Sequence, residues 1–251
     1  MHSVTYYIYD GTYEGLLTSL YYVFKSSENT PKIVPSGTNL SQELFAEYKN
    51  VTTHQQLAKT MTEKINSKIS KRALSKIYYA FLSEIEGIET SIYHYLKLGF
   101  QKGNQVDEML SEHSVHTVNQ LSQKVSRERH RMLGFLRFKK LQSGVYYAPM
   151  EPDHNILTLI APHFKKRLAD QSWIIHDKRR DKCALYNGKS LIYTTDNLPA
   201  NKLLEHKEEE QFQNMWKQYF RHVSIPERQN LKLQQQFLPK KYWKYLTEKN
   251  Q

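Results

Sequence analysis

Val4, Tyr6 and Ile8 alternate at the start of the chain as residues of a half-buried strand do. Asp10, Gly11 and Thr12 then turn it into a helical period with Tyr13, Leu16, Leu17, Leu20, Tyr21 and Phe24 on one stripe. The opening unit is therefore strand, turn, helix. Residues 26–41 hold Ser, Asn, Thr, Gly and two prolines and predict a loop, and helix signals resume after Ser41. Met61, Ile65 and Ile69 share the face of a second helix. A longer stripe through Leu74, Ile77, Tyr78, Phe81, Ile85, Ile88, Ile92 and Tyr95 predicts one helix ending near Gly99. A further helix is expected from about Ser114 to Met132, with Val118, Leu121 and Val125 on its apolar face and Glu128 on that same face.

After Gly134 the period shortens to that of strands, over residues 134–141 and 145–150, with Ser143-Gly144 as the hairpin turn between them. Residues 151–168 start like a capped helix, with Asp153 as the N-cap, and are broken or restarted at Pro162. Two more strand runs follow around Trp173 to His176 and from Cys183, the last pair joined by Asn187-Gly188, a strong hairpin signal. Phe212, Met215, Trp216, Tyr219, Phe220 and Val223 form a helical stripe near the end, and residues 240–246 close the chain in a further helix. The expected class is α+β, an antiparallel sheet packed by helices. It is read as a single domain over residues 1–251, with residues 54–132 as a helical insertion or subdomain.

Composition narrows the function classes. No apolar run approaches the roughly 18 residues of a membrane span, so no membrane role is expected. Cys183 stands alone, which excludes a disulfide scaffold and an iron–sulfur cluster held by this chain, and a cytoplasmic setting is expected. Neither a nucleophile elbow nor a dinucleotide fingerprint occurs, so no cofactor is expected. The formal charge is +11, and residues 123–182 hold fourteen Lys and Arg against six Asp and Glu. Such a concentration suits a polyanion such as DNA. The best phosphate contacts are Arg137, Lys139, Lys165, Lys166, Arg179 and Arg180, joined by Lys240 and Lys241 where bases interleave with aromatics near the end.

The densest chemistry lies in Glu151, Asp153, His154, His163, His176 and Asp177. Carboxylates and imidazoles in this mixture could serve as acid and base near neutral pH, although the spacing matches no standard metal-ligand set and no metal is expected. Glu128, on an apolar stripe, needs a partner if buried, for which Arg137, Arg179 or Arg180 are candidates. It is either a structural ion pair or a general acid or base. Asp10 could face a ligand crevice, or simply form the turn before Gly11. His176 reads as a buried, hydrogen-bonded histidine or as a participant in the same site. Cys183 reads as a small core residue.

Several phrases together, residues 9–17, 128–138, 147–164, 171–180 and 216–246, resemble a bacterial family of DNA metabolism proteins of unknown function. The resemblance implies a gene neighbourhood with a radical-SAM protein of DNA modification or repair, and fusion in some members to a uracil-DNA glycosylase-like domain. It places Asp10, Glu128, Arg137, Glu151, Asp153, His154, His163, His176, Asp177 and Arg180 within family-like motifs. The leading expectation is a DNA repair or modification accessory that binds nucleic acid through its basic segment and works with a radical-SAM or glycosylase partner. One alternative is an enzyme acting on DNA or nucleotide, with Glu128, Asp153, His154, His163 and His176 in one pocket. The other is an interaction scaffold presenting the aromatic helices near the end of the chain.

Overall fold

The computed structural model describes residues 4–26, 31–39, 46–195 and 204–249. The chain divides into two compact units, residues 1–126 and 127–251. The first opens as β1 (Thr5–Tyr9), α1 (Tyr13–Lys25), β2 (Pro31–Pro35) and β3 (Glu47–Asn50), a parallel sheet in the order β2-β1-β3. Thr12 caps α1 by accepting from the Gly15 amide. Gly15 is glycine for a steric reason, since a Cβ there would fall 2.2 Å from Asp10 Oδ1. Around this sheet lie α2 (Gln55–Lys68), α3 (Lys71–Phe81), α4 (Ile88–Lys102) and a 3-10 turn at Gly103–Glu108. Tyr7, Leu16, Leu20, Ile33, Met61, Ile77, Ile92 and Val118 share one apolar core.

Two expectations fail in this unit. The loop read over residues 26–41 contains β2, whose prolines sit at its two ends on an edge strand, where a missing amide donor is tolerated. The single helix expected from Leu74 to Gly99 is two helices. The chain reverses between them with Glu84 at φ 53° and Gly87 at φ 78°, conformations no helix contains.

The second unit takes in the last turns of α5 (His113–Phe135), followed by β4 (Lys139–Lys140), β5 (Tyr146–Met150), α6 (Leu157–Arg167), β6 (Ser172–Asp177), β7 (Lys182–Asn187) and β8 (Leu191–Thr194). The sheet order is β4-β5-β6-β7-β8; β5 and β6 are parallel, bridged by α6, and every other pair is antiparallel. This is the expected α+β class, with helices on a sheet that contains antiparallel pairs. α6 lies over β6, β7 and β8, and Trp173, Ile175, Ala184, Ile160 and Phe164 are buried there. Cys183 is a buried core residue whose thiol is pushed up to about 11, by burial first and then by Asp181 and Asp177. Both hairpin turns form as read, with Gly144 at φ 81° and Gly188 at φ 83°.

Here too the boundaries differ. Only two residues of 134–141 pair as a strand, because α5 continues through Phe135. Helix α6 begins at Leu157, so Asp153 is not its N-cap, and the helix runs through Pro162 unbroken. The end of the chain forms α7 (Glu209–Val223), a 3-10 turn at Pro226–Arg228, α8 (Leu231–Phe237) and a 3-10 helix at Lys240–Tyr245. The α7 stripe is mostly not core. Phe212, Met215, Tyr219 and Val223 are all more than half exposed, while Glu209 is the buried residue of that helix. Among the described residues no helix is long and apolar enough to cross a membrane.

Candidate functional site

Parallel strands end on the same side of a sheet, and ligand crevices in such sheets form beyond their carboxyl ends. Beyond β5 comes Glu151-Pro152-Asp153-His154; beyond β6 comes Lys178-Arg179-Arg180. Glu128 from α5 and the 3-10 helix at Lys240–Tyr245 meet the first of these loops.

Glu128 is the hub. Oε1 accepts from the Asp153 amide at 2.7 Å and from the Tyr242 hydroxyl at 2.5 Å. Oε2 accepts from the His154 amide at 2.9 Å and lies 2.5 Å from His154 Nδ1. Burial opposes the charge on this carboxylate. The bonds from His154, Tyr242 and the two amides overcome it and hold the group at about 2. Of the expected guanidinium partners, Arg137 pairs with Glu248, Arg179 with Asp153 and Arg180 with Asp177, while Lys241 brings its Nζ to 4.0 Å from Glu128 Oε1. A carboxylate so saturated is an ionised acceptor at neutral pH, unsuited to move a proton itself. Being an acceptor only, it requires that His154 Nδ1 carry the hydrogen. His154 Nε2 has no hydrogen-bond partner among the described residues and is not buried.

The rest of the loop is held by cations. Lys241 pairs with Asp153. Arg180 donates to the Asp153 carbonyl at 2.7 Å, to the Pro152 carbonyl at 3.2 Å and to Asp177 Oδ2 at 3.1 Å. Asp177 is fully buried; burial raises its carboxyl, opposed by Arg180 and the amides of Arg179 and Arg180. Arg179 is exposed, its guanidinium 3.6 Å from Asp153 Oδ1. Glu151 accepts from Lys244 Nζ and the Tyr245 hydroxyl, each at 2.5 Å, and is lowered by these bonds. Lys178 adds a smaller lowering effect on Glu151, and Arg131 acts on Tyr242.

Of the five side chains expected in one catalytic pocket, those of Glu128 and His154 meet; Asp153 reaches Glu128 through its backbone amide, and its carboxylate pairs with Lys241. His163 sits on the exposed side of α6 against Phe164, because Pro162 leaves the helix phase intact and carries it outward. His176 is buried on β6, its Nδ1 2.9 Å from the Tyr147 hydroxyl and its Nε2 3.9 Å from Asp181, and burial lowers it. Asp10 belongs to the other unit and forms the turn before Gly11, accepting from Thr12 and Thr53. Among the expected phosphate contacts, Arg137 is consumed by Glu248 at 2.6 Å, and Lys139 by Glu205 at 2.7 Å. Lys165 lies over the Tyr186 ring in the last turn of α6, with Lys166 exposed beside it, and Lys240 is exposed.

The sequence offered no partner for the Tyr242 and Tyr245 hydroxyls, which close on Glu128 and Glu151. The signal was there: a tyrosine that packs its ring still needs a partner for its polar end. The arrangement can orient one imidazole, in a loop whose neighbouring Asp153 carries the cations Lys241 and Arg179. Among the described residues no group of three or more His, Cys, Asp and Glu side chains is arranged to hold a metal ion.

No curated protein matches the chain. A family model described as a domain of unknown function matches residues 86–248, a stretch that takes in Glu128, the loop it holds and both Tyr242 and Tyr245. The chain therefore belongs to that family, DUF4130.

Proposed function

We propose that this protein binds nucleic acid through the cationic rim at the carboxyl ends of β5 and β6, as an accessory of DNA repair or modification whose chemistry a radical-SAM or glycosylase partner completes. The observation that supports it most is convergence. Residues 127–131, 151–154, 177–180 and 240–244, remote in sequence, hold nine Lys and Arg against four Asp and Glu and are tied together by bonds from Glu128, Arg180, Lys241 and Lys244. Arg179, Lys178 and Lys240 stand exposed on that rim and suit phosphate oxygens, whereas Arg180 is committed to the loop backbone. The resemblance to a DNA metabolism family supports the nature of the polyanion and the partner.

Each neutralised phosphate releases counterion, so log affinity should fall linearly with log salt. Fluorescence anisotropy against single- and double-stranded oligonucleotides over a salt series is expected to show that fall, with the slope reduced by about 2 in the Arg179→Ala, Lys240→Ala double variant. Binding that is absent or indifferent to salt would sink the reading.

A further inference from the structure

The loop around His154 is built more rigidly than phosphate contact requires. Glu128 fixes the His154 backbone amide and ring Nδ1 with one oxygen, the Asp153 amide and Tyr242 with the other, and Arg180 and Lys241 hold Pro152 and Asp153. An ionised carboxylate that accepts from Nδ1 leaves the lone pair on Nε2, the arrangement in which a histidine takes a proton from a nucleophile. That nitrogen has no hydrogen-bond partner among the described residues, on a side chain that is 14% exposed. Lys241 and Arg179 both pair with Asp153, the residue before His154 in the chain.

We propose that His154 is the general base of a phosphoester-cleaving site in this rim, with Lys241 and Arg179 as the groups that hold the phosphate and Glu128 as the positioning residue; this rests on the nucleic-acid reading above. Nε2 takes a proton from water as the water oxygen bonds to phosphorus. The bond from phosphorus to the leaving oxygen breaks on the opposite side, that oxygen takes a proton from solvent, and the imidazolium returns its own proton to solvent. One water is consumed, the histidine is regenerated and no electrons change hands. The cations stabilise charge on the phosphoryl oxygens as it builds.

His154→Asn is the decisive variant, because its side-chain amide can still donate to Glu128 while nothing stands where Nε2 was. Hydrolysis of bis(4-nitrophenyl) phosphate and of an end-labelled oligonucleotide is followed from acid to alkaline pH in magnesium-containing buffer, beside anisotropy on the same preparations. The expected result is hydrolysis of both substrates by the wild type. The loss in His154→Asn should be about a hundredfold or more, with thermal stability and oligonucleotide binding kept. Equal rates in wild type and variant, or no hydrolysis of either substrate, would overturn the catalytic proposal. With anisotropy intact, the nucleic-acid reading survives that failure. Hydrolysis of the small diester without oligonucleotide binding would overturn the polymer reading and leave the base in place.

Discussion

Glu89 in the first unit and Glu128 in the second are buried to the same degree, both 6% exposed. Their carboxyls shift in opposite directions. Glu89 accepts from the Tyr9 hydroxyl at 2.9 Å, and burial raises it against that bond and its own backbone amide. Glu128 accepts four bonds and is held near 2. Burial alone therefore says nothing about charge; the number of donors aimed at the group decides it. The first unit tolerates a polar atom in a core, and the second is arranged around one.

The same substitution at both positions sharpens the contrast most. Every neighbour of Glu128 is a donor, so Glu128→Gln must turn an amide NH2 toward another donor, and a loss of roughly 3 kcal/mol is expected. Glu89→Gln replaces a group already pushed toward its neutral form and should change stability by less than about 1 kcal/mol. Urea unfolding checks both. Trp173, Trp216 and Trp243 all lie in the second unit, so tryptophan fluorescence reads that unit while far-UV circular dichroism reads the whole chain. Equal losses at the two positions would break the comparison.

Acid should separate the units next. The folded carboxyl of Glu128 lies below its ordinary value, so its contribution is present above about 4.5 and is lost as pH falls toward about 2, on the order of 3 kcal/mol in all. Glu89 is raised, so its contribution is full below the ordinary carboxyl value and fades as pH rises through the elevated one. Urea midpoints from fluorescence should drop on acidification below pH 4.5, and Glu89→Gln should stabilise the chain more at neutral pH than in acid. The reverse order would show that the donors around Glu128 do not set its charge.

The smallest effect is a single hydroxyl. Tyr242→Phe removes one of four donors to Glu128 and should cost about 1–2 kcal/mol and move the acid transition upward. Tyr9→Phe removes one donor from a carboxyl that burial raises, and should cost about 1 kcal/mol or less and leave the acid transition where it was. Identical shifts from both variants would mean that ring packing, not the hydroxyl, carries each residue.

Much of the chain was legible because periodicity reports burial directly. The strand from Thr5, the helix carrying Leu16 and Leu20, the hairpins at Gly144 and Gly188 and the α+β class all follow from local pattern and turn chemistry. Strand β2 was hidden because its end prolines are strong loop signals when read locally, and only its place at a sheet edge makes them harmless. The stripe on α7 was legible as a stripe, but its direction was not: which side of a helix meets the core depends on neighbours far away in sequence.

The candidate site divides in the same way. Composition determined that acids, imidazoles and cations concentrate in residues 123–182, and helix spacing put Glu128 on an apolar face. Tertiary structure decided which of them meet. It brought Asp153, His154 and Tyr242 onto Glu128, left His163 outside and spent Arg137 on Glu248. The reason is physical: a side chain's type is written one residue at a time, but the charge it carries depends on donors supplied by loops more than 100 residues apart, as Tyr242 and Glu128 are.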